Sequence, residues 1–239
     1  MRRALAPVLA GLVALAGCAT PEVAFDYGPY LDHMPRSILV LPPLDTTPEV
    51  GVTYGWLSSI TLPLVERGYY VFPVAMVDGI LKENGLPTPG EMHQISLAKV
   101  REVFGADAVL YVTVTSWGTE YQVINSATEV SLEARLVDVA SGTEIWRGRA
   151  EASENSSAGS SDIFGMLANA LVDQIVSSTY DPEVGLASDL NYDLVHDPDR
   201  GLLLGPYHPD FAKDQEERRA KRATPPGGPV TGEAAAKAR

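Results

Sequence analysis

Three successive segments in the middle of the chain alternate apolar and polar residues with a period of two. In residues 106–117, Leu110, Val112 and Val114 fall on one face, and Tyr111, Thr113 and Thr115 on the other. In residues 128–139, Val130, Leu132, Ala134 and Leu136 keep the same register. A bend at Ser141-Gly142 then leads into a third segment that runs to about Ala152. A strict period of two marks half-buried strands, and the short bend marks a hairpin, so this region predicts an antiparallel sheet. Glu133 and Arg135 sit on its polar side and are expected to form cross-strand pairs.

The upstream pattern is different. Residues 37–43 (SILVLPP) form an apolar run closed by two prolines, which suits a buried strand. In residues 52–67, Leu57, Ile60, Thr61 and Leu64 share a helical face, and Gly68 is placed to end the helix. Pro63 is expected to kink it. Residues 69–74 (YYVFPV) predict a second strand. Residues 76–83 and 97–104 predict short helices around a Pro/Gly-rich loop at 87–90. After the antiparallel segments come a serine-rich loop (153–161) and a helix over 163–178, with Phe164, Leu167, Leu171 and Ile175 as its apolar stripe and Ser161 as its N-cap. The expected architecture is therefore α/β (α+β): β-α-β-α-α, then a three-strand antiparallel sheet and a C-terminal helix. From residue 181 the periodicity fades. Residues 181–239 read as an irregular, largely disordered extension that ends in a low-complexity tail.

The N-terminal pattern concerns location. Arg2 and Arg3 precede an apolar stretch that ends in LAGC at residues 15–18. A basic start, a short apolar run and small residues form an export signal, and the run is shorter than the about 20 residues that span a bilayer. Cys18 is the only cysteine. A core thiol would sit in a periodic segment, and a redox thiol usually has a resolving partner; Cys18 has neither. The string resembles the lipobox of bacterial lipoproteins. That resemblance implies cleavage between Gly17 and Cys18 and acylation of Cys18. Cleavage there would remove a signal (1–17) and leave an acylated tether (18–34), read from its lack of a clear period, ahead of a globular domain (35–180) and the extension. Ala19 follows the cysteine, where enterobacterial lipoproteins retained in the inner membrane carry Asp. The resemblance thus implies the outer membrane, with the domain facing the periplasm.

Charge narrows the partners. Arg2 and Arg3 are the signal's only charges; removing them from 18 basic residues leaves 16 against 31 acidic, a net of −15. Such a chain repels phosphate backbones, which excludes nucleic acid as a partner. It also leaves membrane attachment to acyl chains. No Gly-x-Ser-x-Gly, P-loop, dinucleotide fingerprint or His-Glu-x-x-His occurs. The four histidines (His33, His93, His196, His208) lack ligand spacing. No metal, cofactor or catalytic residue is expected. Asp45, after the strand-ending LPPL, is either a turn cap or the lining of a crevice at a strand's carboxyl end. The aromatic residues Tyr54, Trp56, Trp117 and Tyr121 are candidates for a partner surface, with core packing as the alternative.

Several stretches carry a wider resemblance: SILVLPPLDTTPEV, TYGWLSSITLPLVERGYYVFPVAMVDGILKENGL, EMHQISLAKVREVFGADAVLYVTVTSWGTEYQV and ARLVDVASGTEIWRGRA. They look like an uncharacterised family of bacterial lipoproteins, a domain of unknown function typified by a meningococcal vaccine-candidate lipoprotein. The resemblance covers roughly residues 35–180. It implies a domain similar to the N-terminal domain of TolB, a fold shared with the lipoproteins CsgG and LpoB, and it supplies no catalytic residues. It also implies a shared envelope complex with a CsgG-like lipoprotein. Three functions compete: a non-catalytic scaffold in such a complex, an LpoB-like activator of a cell-wall synthase, and a small-molecule-binding crevice or hydrolase near Asp45.

Overall fold

The structure is a computed structural model; it describes residues 25–48, 51–121, 126–155 and 182–223. The LAGC motif with Gly17 and Cys18, and the helix expected over 163–178, lie outside the described residues.

The elements run in the order α1 (Gly28–His33), β1 (Ser37–Val40), β2 (Leu44–Asp45), α2 (Val52–Glu66), β3 (Tyr70–Val71), α3 (Val74–Glu83), α4 (Pro89–Met92), α5 (Leu97–Val103), β4 (Ala108–Tyr121), β5 (Ser126–Asp138), β6 (Glu144–Asn155), α6 (Pro182–His196) and α7 (Phe211–Ala223). One mixed sheet holds all six strands in the order β3-β1-β4-β5-β6, with β2 also on β4. Contacts among β1, β2, β3 and β4 are parallel, whereas β4–β5 and β5–β6 are antiparallel. The two sequence patterns thus join in β4, which pairs with β1 on one edge and β5 on the other. The mixed α/β class is as expected.

The period of two becomes two faces. Ile38, Val40, Leu110, Val112, Val114, Val130, Leu132 and Leu136 point to the inner face, where Trp56, Ile60 and Leu64 of α2 and Leu190 and Leu194 of α6 cover them. Burial of each such side chain contributes about 1.5–3 kcal/mol. Strand β6 carries small residues on this face: Gly148, Ala150 and Ala152 follow Trp146. A Cβ on Gly148 would lie 2.6 Å from Trp146 Cζ2 and 2.7 Å from Leu194 Cδ1, so its absence lets the indole and α6 close on the strand. Among the described residues, the opposite face is covered toward one end, where Leu39, Leu41, Val109, Tyr111 and Val137 meet Val77 and Leu81 of α3, Met92 and Val100.

Pro63 is buried within α2, which runs on past it to Glu66. Several local expectations change. The loop expected at 87–90 contains the start of α4, where Thr88 accepts the Glu91 N–H at 3.3 Å and Glu91 Oε2 accepts the Thr88 N–H at 3.0 Å, a capping box. Two further stretches differ more. The end of the expected tether folds as α1, and Tyr30 is buried in the core. Residues after 181, expected to be irregular, form α6 and α7. The stripe of α6 (Ala187, Leu190, Asn191, Leu194) includes a buried asparagine and an alanine, so apolar periodicity understates its burial.

Hydroxyls and an indole hold these flanks. Tyr30 Oη bonds to Tyr69 Oη, which donates to the Leu203 carbonyl at 2.6 Å. Tyr27 Oη donates to the Gly201 carbonyl at 2.6 Å, and Trp146 Nε1 donates to the Arg200 carbonyl at 2.7 Å. The Gly205 N–H reaches the Arg67 carbonyl at 2.7 Å, and the Tyr207 N–H reaches the Gly68 carbonyl at 3.0 Å. None of these residues repeats at a helical or strand period, so no pattern marks them.

Candidate functional site

The outer face of the sheet beyond α3–α5 is polar, and none of the described helices covers it. Cross-strand register sets its rows: Tyr111 opposes Arg135, which opposes Arg147; in the next row Thr113 opposes Glu133, which opposes Arg149. Arg147 and Arg149 side chains are 72% and 73% exposed. Glu133 Oε1 takes an ion pair from Arg149 at 2.9 Å, the cross-strand pair expected for Glu133. Arg147 donates to both oxygens of Glu144, at 2.8 and 3.1 Å. Arg135 is different: its guanidinium carbon lies 4.2 Å from the centroid of Tyr111, and no carboxylate among the described residues pairs with it.

His93, just after α4, closes the row. Its ring meets Tyr111 edge-on at 5.3 Å, and its Nε2 lies 2.9 Å from the Pro42 carbonyl. Burial holds the imidazole below its ordinary 6.5, against the Pro42 carbonyl, which raises it. The neutral ring therefore carries its proton on Nε2, and Nδ1 is left as an acceptor. Burial also pushes the Tyr111 phenol up, and Arg135 opposes that shift. Leu44, His93, Tyr111, Thr113, Glu133, Arg135 and Arg147 line a cleft of about 200 Å³. A second hollow of about 370 Å³ shares Glu133 and Arg147 and continues over the β6 edge to Phe25, Asp197 and Arg200.

The expected site residues separate. Asp45 is exposed, and its Oδ1 accepts the Thr47 N–H at 2.8 Å and the Thr47 hydroxyl at 2.7 Å, which makes it a turn cap. Its neighbour Leu44 lines the cleft, because successive strand residues point to opposite faces. Trp56 is fully buried under α2 and belongs to no surface. Trp117 is half-buried, its ring against Gly55 and near α6, while Tyr54 is 58% exposed and accepts a bond from Lys82 Nζ at 2.6 Å. Tyr121 is the last residue of β4. Trp56 therefore shares no exposed patch with Tyr54. The row Tyr111-Arg135-Arg147 was not foreseen; its one sequence signal was the polar side of the alternation, and only register shows that two arginines face each other.

The histidines bond locally. His33 Nδ1 lies 2.8 Å from the Pro29 carbonyl, His196 Nδ1 3.1 Å from the Tyr192 carbonyl, and His208 Nδ1 accepts the Asp210 N–H at 3.1 Å. Ser141 brings together hydrolase-like residue types: its Oγ is 3.1 Å from His33 Nε2 and 2.7 Å from Asp138 Oδ2. The carboxylate holds the serine and not the histidine, so the serine proton goes to Asp138 and the group closes a turn. Asp138 also takes the Ser141 N–H at 2.7 Å. Among the described residues, no cluster of three His, Cys, Asp or Glu side chains could hold a metal, and no helix is long and apolar enough to cross a membrane.

Comparison with known proteins places the chain. Residues 25–207 match the family described as "Putative lipoprotein GNA1162-like". The chain belongs to this family. The GNA1162-like match takes in α1 and α6, which corrects the expectation that resemblance ends near residue 180. A relative from Neisseria meningitidis serogroup B, described as putative lipoprotein NMB1124/NMB1162, is 42% identical over 200 residues, 83% of this chain and 93% of the relative. The crystal structure of lipoprotein GNA1162 from Neisseria meningitidis aligns at a TM-score of 0.50 with 48% identity, over 60% of this chain and 99% of that one. The LpoB C-terminal domain from Salmonella enterica aligns at 0.35 with 18% identity, over 61% of this chain and 93% of that one.

Proposed function

We propose that this GNA1162-like chain is a lipoprotein that acts by contact, as a non-catalytic binding module. Acylated Cys18 would hold it at the periplasmic face of the outer membrane, in an envelope or secretion complex with a CsgG-like lipoprotein. The observation that carries the reading is the open polar face of β4–β6. A sheet covered by helices on one side presents there an exposed surface with fixed register, held by a rigid scaffold. The LAGC sequence at Cys18 and membership of a lipoprotein family support the anchor.

In-cell photo-crosslinking tests the reading, with a benzophenone amino acid placed at Tyr54 and at Thr113. Crosslinks to an envelope lipoprotein or secretion component are expected. A cell-wall synthase as the main product would replace the scaffold with an activator of that enzyme. No protein product from either position would refute the contact mechanism. The Cys18→Ser variant is expected to leave the membrane fraction; retention there would refute the anchor.

A further inference from the structure

We infer that the cleft formed by Tyr111, Arg135, Arg147 and His93 binds a carboxylate of an acidic peptide segment. This deepens the contact reading by naming a site and the chemistry of its occupant.

The first argument is charge. The chain carries a net −13, yet its outer sheet face sets Arg135 directly opposite Arg147. Like charges facing each other across a ladder are destabilising, whereas an opposite-charge pair contributes favourably. Glu144 compensates Arg147 with two bonds, so among the described residues Arg135 is the cation of this pair without a carboxylate partner. A carboxylate between the two guanidinium groups would relieve the repulsion.

Geometry gives the second argument. Tyr111, only 7% exposed, holds its ring 4.2 Å from the Arg135 guanidinium carbon. The ring attracts the cation without accepting its N–H groups as a carboxylate would, so they stay available to bind a carboxylate with two parallel bonds. The platform is buried while its arginine is exposed, so the donor is presented with little freedom to lose. Thr113 adds a hydroxyl at the cleft wall.

Size is the third. The cleft of about 200 Å³ holds roughly six waters at about 30 Å³ each. That admits one Asp or Glu side chain with its bound water, or a chain terminus, and is too small for a nucleotide. The hollow beyond Arg147 continues over the β6 edge past Arg149, which Glu133 already pairs, to Asp197 and Arg200, so it offers room for the peptide's continuation while the acidic side chain itself stays at Arg135.

Fluorescence anisotropy on the full acylated chain in detergent micelles tests the site. The probes are a labelled peptide with the sequence Gly-Asp-Glu-Gly, the same peptide with Asn and Gln, inorganic phosphate, and phosphatidylglycerol vesicles. The acidic peptide is expected to bind at least ten-fold tighter than its amide counterpart. Arg135→Gln should remove that preference, Arg135→Lys should recover only part of it, and Arg101→Gln on α5 should leave it intact. Near-UV circular dichroism of each variant checks the fold. Equal binding of the amide peptide would overturn the inference, as would absence of binding. Displacement of the peptide by equimolar phosphate, or tighter binding to the vesicles, would reassign the site to a phosphate group. Peptide binding without any crosslinked protein would keep the site and refute the contact reading; a crosslinked partner from Thr113 without peptide binding would do the reverse.

Discussion

Gly68→Ala probes how the segment after α6 is held. Gly68 ends α2 with φ +87°. An alanine there costs about 1–2 kcal/mol for the left-handed backbone alone. Its Cβ would also lie 2.6 Å from His208 Cβ and 2.8 Å from His208 Cα, and closer still to the His208 nitrogen. Backbone cannot rotate out of the way, so residues 205–208 must withdraw. Withdrawal breaks the bonds from Gly205 to Arg67 at 2.7 Å and from Tyr207 to Gly68 at 3.0 Å. Each contributes about 0.5–1.5 kcal/mol. Together the terms give a loss of roughly 2–5 kcal/mol, a large part of the about 5–15 kcal/mol that stabilises a typical protein. Urea unfolding followed by near-UV circular dichroism measures it, and trypsin cleavage at Lys213 and Arg218 should accelerate. Gly79→Ala is the control: in α3, with nothing within 4 Å of the added Cβ, it should gain up to about 1 kcal/mol from helix propensity. A loss below about 1 kcal/mol for Gly68→Ala, with unchanged proteolysis, would refute the close packing of residues 205–208 on Gly68.

Trp56→Ala should cost about 3–5 kcal/mol as a core truncation, whereas Tyr54→Ala, two residues earlier on the opposite helix face, should change stability by less than about 0.5 kcal/mol; similar losses in thermal unfolding would contradict the buried and exposed assignments. Burial pushes the Tyr27 phenol up to about 12 and holds Tyr30 and Tyr69 above their ordinary 10.0. Below pH 10 these groups are neutral whether folded or unfolded. Between pH 10 and about 12 the unfolded chain has released protons that the folded one keeps, so stability falls as pH rises. Absorbance at 295 nm should report these three phenols titrating together with unfolding, and titration near pH 10 with ellipticity intact would count against their burial. Tyr69→Phe removes the donor to Leu203 and is expected to cost about 1–3 kcal/mol, because a buried carbonyl loses its partner. A fluorophosphonate probe should leave Ser141 unlabelled, since Asp138 holds its proton; labelling that depends on His33 would make the turn a hydrolytic site.

The sequence by itself determined the elements of the central domain. A period of two over residues 106–152 is a local signal: each residue's face follows from strand geometry, so β4, β5 and β6 and their buried stripe needed no tertiary knowledge. The same holds for α2, α3 and α5, whose apolar spacing or stop residues are local. Family membership was also legible, because the quoted stretches are long and dense. What the tertiary structure decided depends on residues far apart in the chain. Tyr30 meets Tyr69 across 39 residues and Tyr69 meets Leu203 across 134, and one bond at each place leaves no periodic trace. The α6 stripe stayed hidden because Gly148 and the alanines of β6 let a weakly apolar helix pack closely. Trp56 and Tyr54 look alike in sequence, and only the rotation of α2 sends one inward and the other to solvent. The arginine row has the same origin. Arg135 and Arg147 face each other, and Tyr111 lies beneath Arg135, because strand register places residues 24 and 12 positions apart in one line.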